Sequence, residues 1–123
     1  MIKISVSIDV PNLKQGEEFY VFALGCTKLR DQMGMSVISA GNCDIYIQEK
    51  KAGSNPVKDS IIVRDYSRHW TPIHLDFITS DIENVVKKVI ELGGKKEGGE
   101  SWDGGSIAYC VDPFGNGFCV INE

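Results

Sequence analysis

The stretch Val111-Asp112-Pro113-Phe114-Gly115-Asn116-Gly117-Phe118 separates two apolar runs near the carboxyl end of the chain. Pro113 presets one dihedral angle of a turn, and Gly115 and Asn116 are residue types that tolerate positive φ. A turn of this composition between two extended apolar segments predicts a β-hairpin. Because the hairpin specifies where two neighbouring strands reverse direction, it is the strongest local indication of the fold.

An internal repeat connects this hairpin to the rest of the chain. Val6–Leu13 aligns with Leu75–Ile82, and the same offset places Gly25 on Gly94. Each copy has the pattern of a strand, a capped helix and a glycine stop. A chain of 123 residues is long enough for one domain but too short for two separately stable ones. We therefore expect a single domain with modules over about 1–50 and 72–123 and a connector over 51–71.

In the first copy, apolar and polar residues alternate from Ile2 to Val10, which is the period of a half-buried strand. Asn12 and Gln15 then have the spacing of a capping box. They open a helix that is predicted to run to about Gly25.

The second copy contains the clearer helix. Ser80 and Glu83 have capping-box spacing, and Gly93-Gly94 is a stop signal. Between them, five apolar residues share one helical face and predict a stripe that packs in the core: Ile82, Val85, Val86, Val89 and Ile90.

Short extended segments separated by turn residues follow each helix. They are predicted near Thr27–Arg30, Met35–Ala40, Cys43–Glu49, Lys95–Glu97, Ser106–Val111 and Gly117–Asn122. Both copies therefore have the order β-α-β-β-β. The connector between them is polar and rich in turn residues at its start, but Ile61–Tyr66 is apolar enough that we expect it to pack.

Composition excludes several classes of function. The net charge is −4 and the chain has no Lys/Arg cluster, which argues against nucleic acid or an anionic membrane as the partner. No apolar run reaches the roughly 18 residues of a membrane span, and the amino-terminal residues do not resemble a signal peptide, so we expect a cytoplasmic protein. Without a Cys-x-x-Cys spacing, the cysteines are expected to be free thiols, and Cys110 and Cys119 flank the predicted turn as candidate cross-strand neighbours.

The Asp112–Asn116 turn, which follows the Trp-x-Gly-Gly stretch at Trp102–Gly105, resembles the closing hairpin of the vicinal oxygen chelate superfamily. This superfamily includes glyoxalase I, extradiol dioxygenases and bleomycin-resistance proteins, and the resemblance covers nearly the whole chain. It implies an α+β fold in which two βαβββ modules curl around a cleft. In such families two chains commonly pair, so it also implies a homodimer.

If the helices cover the apolar sheet faces, strand alternation predicts the side chains that face the cleft. These are Ser5, Ser7 and Asp9 from the first strand, and His74, Asp76 and Ile78 from its counterpart. Aromatic residues from segments at the cleft or its rim would add flat contact surfaces: Tyr46, Trp70, Trp102 and Tyr109. Rings near carboxylates suit planar or cationic ligands.

Metal-dependent members of the superfamily hold a divalent ion with His, Gln or Glu from the first and last strands of each module. The resemblance places these positions on Ser5, a residue close to Tyr46, His74 and Cys119, with Ile45 as the alternative to Tyr46. Only His74 is an ordinary ligand type there, so we predict no bound metal and no cofactor. A rearranged divalent-metal site from Gln48, His74, Asp76 and Cys119 is the alternative.

The resulting hypothesis is a metal-free small-molecule-binding protein of the bleomycin-resistance type, which sequesters a cationic or aromatic compound. Its predicted ligand-binding residues are Ser5, Ser7, Asp9, Tyr46, Gln48, His74, Asp76, Trp102 and Cys119. The alternative is a lyase, isomerase or dioxygenase that uses the rearranged metal site or His74 and Asp76 as a catalytic acid–base pair. A vestigial cleft whose surface recruits a partner is a third possibility.

Overall fold

The computed structural model describes residues 1–122. The chain divides into two compact units. The first contains Met1–Val21 and Gly25–Tyr66, and the second contains Phe22–Leu24 and the residues from Ser67 onward. The predicted connector is thus divided between the units, because its part up to Tyr66 belongs to the first unit.

The first unit is a four-stranded sheet with one helical segment. Its elements are β1 (Val6–Val10), α1 (Leu13–Glu18), a π-helical turn (Phe19–Ala23), β2 (Thr27–Gln32), β3 (Met35–Ser39) and β4 (Asp44–Glu49). The end of the π-helical turn, Phe22 and Ala23, belongs to the second unit. The strand order is β1-β4-β3-β2. β1 is parallel to β4, and the other neighbours are antiparallel.

The second unit repeats this arrangement. Its elements are β5 (Leu75–Ile78), α2 (Ile82–Glu91), β6 (Lys95–Trp102), β7 (Gly105–Val111) and β8 (Gly117–Asn122). The order is β5-β8-β7-β6, again with only the first pair parallel. The predicted α+β fold with two βαβββ modules is therefore confirmed.

The two helices begin at equivalent positions of the repeat. Asn12 caps α1, because its side-chain Oδ1 accepts a 2.9 Å hydrogen bond from the Gln15 amide. The predicted cap of α2 at Ser80 is wrong, since Asp81 is the cap and accepts a 3.2 Å bond from the Asn84 amide. The Asp81 carboxylate is a stronger acceptor than the Ser80 hydroxyl for the first amides of the helix.

The core of each unit lies between its helix and one sheet face. In the first unit, α1 approaches the sheet at Gly16, where a Cβ atom would lie 2.9 Å from the Val10 methyl groups. In the second unit Val89 is the fully buried residue of α2, and it shares the core with Ala108 and Val120. The prediction that the whole α2 stripe is core is wrong at Ile90, which is exposed, while Ile82, Val85 and Val86 are half-buried.

Two further apolar segments differ from expectation. β1 begins at Val6, where its pairing with Ile45 of β4 begins, and Ile2 and Ile4 are exposed. The predicted packing of the Ile61–Tyr66 segment is wrong at Ile61 and Ile62, whose side chains are exposed.

The closing hairpin is confirmed, and Asp112 organises it. Its buried carboxylate accepts hydrogen bonds from the Phe114 amide (2.8 Å), the Asn116 amide (2.9 Å) and the Asn116 side-chain amide (2.8 Å). Gly115 has a φ of 93°, which favours glycine at this position. The turn is therefore held by a buried carboxyl side chain that accepts hydrogen bonds from specific amide donors.

All four cysteines are free, as predicted, and Cys43 is the only one that is not fully buried. The expected neighbour relation between Cys110 and Cys119 is wrong. Cys119 lies opposite Tyr109, whereas Cys110 lies opposite Phe118. Because side chains alternate along a strand, the two thiols are on opposite faces of the sheet. Among the described residues, no helix has the length and apolarity needed to cross a membrane.

Candidate functional site

The face of the second sheet that is turned away from α2 brings together residues from three neighbouring strands. The register pairs Asp76 of β5 with Cys119 of β8, and Cys119 in turn with Tyr109 of β7. These side chains point away from the face that carries the buried Ala108 and Val120, because side chains alternate along each strand. His74 precedes β5 by one residue and keeps the same alternation as Asp76.

His74, Asp76 and Cys119 form a cluster in which one ligand atom of each lies within 4.8 Å of the others. His74 Nδ1 is 3.0 Å from Asp76 Oδ1 and 3.8 Å from Cys119 Sγ. Both contacts involve the same ring nitrogen. The ring therefore does not connect thiol and carboxylate in the manner of a Cys-His-Asp relay, which uses one nitrogen for each partner.

Burial raises the pKa of the Cys119 thiol to about 11, and the charge of Asp76 and a hydrogen bond to its carboxylate act in the same direction. The thiol is therefore protonated at neutral pH. Since the thiolate is the nucleophilic form, this environment does not activate Cys119 for attack on a substrate. In this cluster the thiol serves as a hydrogen-bond donor and a packing surface.

Trp70 forms an aromatic wall beside the cluster. Its ring lies so close to Gly117 that a Cβ atom there would be 2.6 Å from the ring. The ring is perpendicular to the His74 imidazole, with centroids 5.6 Å apart. Gly117 thus has a steric function in β8, because it leaves room for the indole next to the His74–Asp76 pair.

Arg68 contacts the Trp70 ring and pairs with Glu97 on β6. Its guanidinium carbon is 4.7 Å from the centroid of the Trp70 ring, within the range of cation–π attraction. Two of its nitrogens pair with the two carboxylate oxygens of Glu97 on β6, and Nε lies 2.5 Å from Oε2. The hydrogen bonds of this pair raise the pKa of Arg68 and lower that of Glu97, so both groups are charged at neutral pH.

The segment that carries Arg68 and Trp70 is tied to the closing hairpin. The His69 amide donates a 3.0 Å hydrogen bond to the Gly115 carbonyl, and His69 forms an isolated bridge with Asn116. The His69 side chain is half-buried, and its Nδ1 contacts the Ser67 carbonyl. The turn that indicates the fold in the sequence therefore also positions the aromatic wall of the site.

A cavity of about 600 Å³ opens over this cluster. It is lined by Trp70, His74, Asp76, Glu97, Ile107, Tyr109 and Cys119. A second groove of about 640 Å³ lies between α2 and strands β6 and β7. Its lining includes Lys96 and Glu83 but no group of ligand-type side chains like the one at His74, so the first cavity is the better candidate site.

The predicted residues of the first unit also share one sheet face. Ser7 pairs with Tyr46 and Asp9 with Gln48 across β1 and β4. The Ser7–Tyr46 pair corresponds to the Asp76–Cys119 pair of the second unit, so Tyr46 is the counterpart of Cys119 and the alternative at Ile45 is wrong. Ser5 is exposed and precedes β1.

Asp9 already has a cationic partner, which the sequence patterns did not reveal. Arg64 Nε lies 2.8 Å from Asp9 Oδ2, and Arg64 Nη1 donates to the Ser54 hydroxyl and the Asn55 carbonyl. Arg64, Arg68 and Glu97 were not predicted, because ion pairs between residues distant in the chain leave no periodic signal. Arg64, a charged residue directly after the apolar Ile61–Val63 stretch, was the available sequence signal for an ion pair.

Trp102 does not line the cavity that contains His74. It ends β6 and packs over Gly105, where a Cβ atom would be 2.6 Å from its Nε1. The placement of Trp102 at the site is therefore wrong for this cavity, and Trp70 supplies the indole instead. Local pairing across the β6–β7 turn determines the position of Trp102.

The two βαβββ modules and the ligand-type side chains on a sheet face define the class of vicinal oxygen chelate proteins. The family model described as a glyoxalase-like domain matches residues 5–121, so this chain belongs to that family. Among curated proteins, no sequence matches the chain significantly.

Solved structures of the same fold are similar over nearly the whole chain. The fosfomycin resistance protein FosX from Listeria monocytogenes has a TM-score of 0.74 at 15% identity and covers 100% of this chain and 95% of its own. A glyoxalase/bleomycin resistance protein from Albidiferax ferrireducens has 0.68 at 19%, covering 97% and 96%. Lactoylglutathione lyase from Agrobacterium tumefaciens has 0.64 at 17%, covering 98% and 92%. At these identities the likeness concerns the fold.

Proposed function

We propose that this protein binds a small organic molecule in the cavity over His74, Asp76 and Cys119, and that a flat cationic compound is the preferred ligand. The observation that carries the proposal is the combination of aromatic walls with a carboxylate in one cavity. Trp70 and Tyr109 offer ring surfaces, and Asp76 offers negative charge. Binding without reaction, as in sequestration of a compound, is the function that these groups support best.

The charges at the cavity favour a cation. Glu97 is already paired with Arg68, whereas Asp76 contacts His74 with a side chain that is 44% exposed. Tyr109 donates a 3.1 Å hydrogen bond to Glu100, which adds a further carboxylate nearby. A cation over an aromatic face gains roughly 0.5 to 2 kcal/mol, in addition to attraction by the carboxylates.

Three naphthalene compounds of similar shape test this proposal by titration calorimetry in a chelator-containing buffer. They are naphthalen-2-ylmethylammonium, 2-naphthalenemethanol and 2-naphthoate. We expect the ammonium compound to bind about tenfold more tightly than the alcohol, and the carboxylate to bind most weakly. Asp76→Asn should remove most of the preference for the cation, while Asp81→Asn, on the α2 cap, should preserve it. Tightest binding of the carboxylate, or no binding of any of the three, would overturn the proposal.

A metal-dependent enzyme is the second candidate, and the close approach of three donor atoms in the His74 cluster favours it. One imidazole, one carboxylate and one thiol suit a tetrahedral zinc-type site with an open position better than an octahedral oxygen site. A bound ion of this type would supply Lewis-acid chemistry. His74, Asp76 and Cys119 would hold it, and the thiol would first have to lose its proton.

Thermal unfolding of chelator-stripped protein separates the two candidates. Binding of an ion to the native state must raise the unfolding temperature. A rise of several degrees with zinc, cobalt, nickel, manganese or ferrous ion, absent in His74→Ala, would favour the enzyme. Because the Cys119 proton competes with the ion, such a rise should also grow from pH 7 to pH 9. Binding of the naphthalene cation in chelator with no such rise would favour sequestration.

A further inference from the structure

We propose that residues 57–63 of the first unit are a contact surface for a second copy of this chain. This loop presents four apolar side chains to solvent: Val57, Ile61, Ile62 and Val63, exposed by 67%, 98%, 74% and 44%. We call this surface the connector patch. Soluble proteins rarely leave neighbouring large aliphatic side chains this exposed unless a partner covers them.

Hydrogen bonds anchor the loop that carries the connector patch, so its apolar side chains are exposed on an ordered segment. The Arg64 amide donates to the Ser54 carbonyl (2.9 Å), and the Gly53 amide donates to the Arg64 carbonyl (2.7 Å). The Asn55 side-chain amide closes the loop with a 2.7 Å hydrogen bond to the Ser60 carbonyl. These bonds join the two ends of the loop.

A salt bridge also fastens the loop to the sheet of the first unit. The Arg64 side chain, 16% exposed, pairs with Asp9 on β1. The Tyr66 hydroxyl adds a 2.7 Å hydrogen bond to the Lys50 carbonyl. A loop with polar anchors inside and aliphatic side chains outside has the arrangement of a docking surface, because most of the surface of its apolar side chains is left open to solvent.

Area and charge both favour a second copy as the occupant. The four side chains present on the order of 500 Å² per copy, so a symmetric contact buries on the order of 1,000 Å², about the size at which specific interfaces begin. Lys58 and Asp59 make the patch neutral, although the whole chain carries a net charge of −4. Two copies can therefore meet here without like-charge repulsion, and a two-fold axis can place Lys58 of each copy near Asp59 of the other.

Sedimentation of the full chain with matched variants tests the proposal. Ile61→Asp places a charge in the patch, and Met33→Asp is the control, since Met33 is 91% exposed in the turn between β2 and β3. We expect a dimer for the natural chain and for Met33→Asp, and a monomer for Ile61→Asp. A monomeric natural chain at high micromolar concentration, or an Ile61→Asp variant that remains fully dimeric, would overturn the proposal.

Cross-linking keeps the test valid if Ile61→Asp does not fold. In an Ile61→Cys variant, the new thiols of two copies should form an intermolecular disulfide under mild oxidation, because a contact across a two-fold axis brings them together. A Met33→Cys control should form far less of the covalent dimer. Equal yields from the two variants would show that the patch is not the interface. Neither assay depends on the ligand, so the outcome is independent of the proposed function.

Discussion

The two modules have the same strand order, yet their equivalent residues differ in chemistry. The pair Ser7 and Tyr46 in the first unit corresponds to Asp76 and Cys119 in the second. In the first unit Tyr46 accepts a 3.3 Å hydrogen bond from Arg30 across its own sheet. The repeat therefore preserves backbone positions, while the His74, Asp76 and Cys119 cluster of ligand-type side chains lies in the second module.

The two modules differ in the turn before the last strand, β4 in the first module and β8 in the second. Removing Asp112 from the turn before β8 should have the largest effect on stability. Asp112→Ala leaves the Phe114 amide and the Asn116 donors without their buried acceptor, so we expect a loss of about 3 kcal/mol in the free energy of unfolding. Urea denaturation measures it. Asn42→Ala, at the exposed turn before β4, should cost less than about 0.5 kcal/mol. Equal losses of unfolding free energy in Asp112→Ala and Asn42→Ala would contradict the prediction that the buried carboxyl group stabilises the turn before β8 specifically.

Alkaline pH should destabilise both modules through their buried thiols. Burial raises the pKa of Cys26 in the first unit and of Cys110 in the second from 9.0 to about 11. In the unfolded chain these thiols ionise first, so stability is complete below pH 9 and falls as the pH rises to 11, by about 2 kcal/mol per thiol. Cys26→Ala and Cys110→Ala should each lose less stability than the natural chain between pH 8 and pH 11 in urea titrations. Parallel pH curves for variant and natural chain would contradict this origin.

Gly117→Ala should disturb the site in the second module more than the fold. The new methyl group would meet the Trp70 ring, and we expect a loss of about 1.5 kcal/mol together with weaker binding of naphthalen-2-ylmethylammonium. Gly98→Ala is the control, because its Cβ would make only an ordinary 3.6 Å contact with Tyr109. Unchanged affinity in Gly117→Ala would mean that Trp70 does not contribute to the cavity wall.

Arg68→Met should have the smallest effect on stability. The Arg68–Glu97 pair is partly exposed, and such pairs contribute less than about 1 kcal/mol. Removing the guanidinium takes away the ion-pair partner of Glu97 beside the cavity, so affinity for the naphthalene cation should rise while affinity for 2-naphthoate falls. Calorimetry measures both. Arg30→Met, in the first module, should leave both affinities unchanged. Equal changes in affinity for Arg30→Met and Arg68→Met would contradict a specific effect of Arg68 at the cavity.

The fold followed from local patterns, because strand alternation, helix caps and the Asp112–Asn116 turn each depend on neighbouring residues. Boundaries were wrong where a distant partner decides them, as at Ile2–Ser5, because the pairing with β4 begins only at Val6. The cluster of His74, Asp76 and Cys119 followed from correct register. Trp102 was misplaced because the pattern does not show that a nearby glycine holds its ring.

The position of Trp70 provides the protein with its own optical reporter. The chain has only two tryptophans, and only Trp70 lines the cavity beside a histidine and beneath a guanidinium. A molecule that enters the cavity must change the surroundings of this indole, while Trp102 lies outside the cavity. In a Trp102→Phe background, emission from a single residue would follow occupancy in real time, without any label and before the natural ligand is identified.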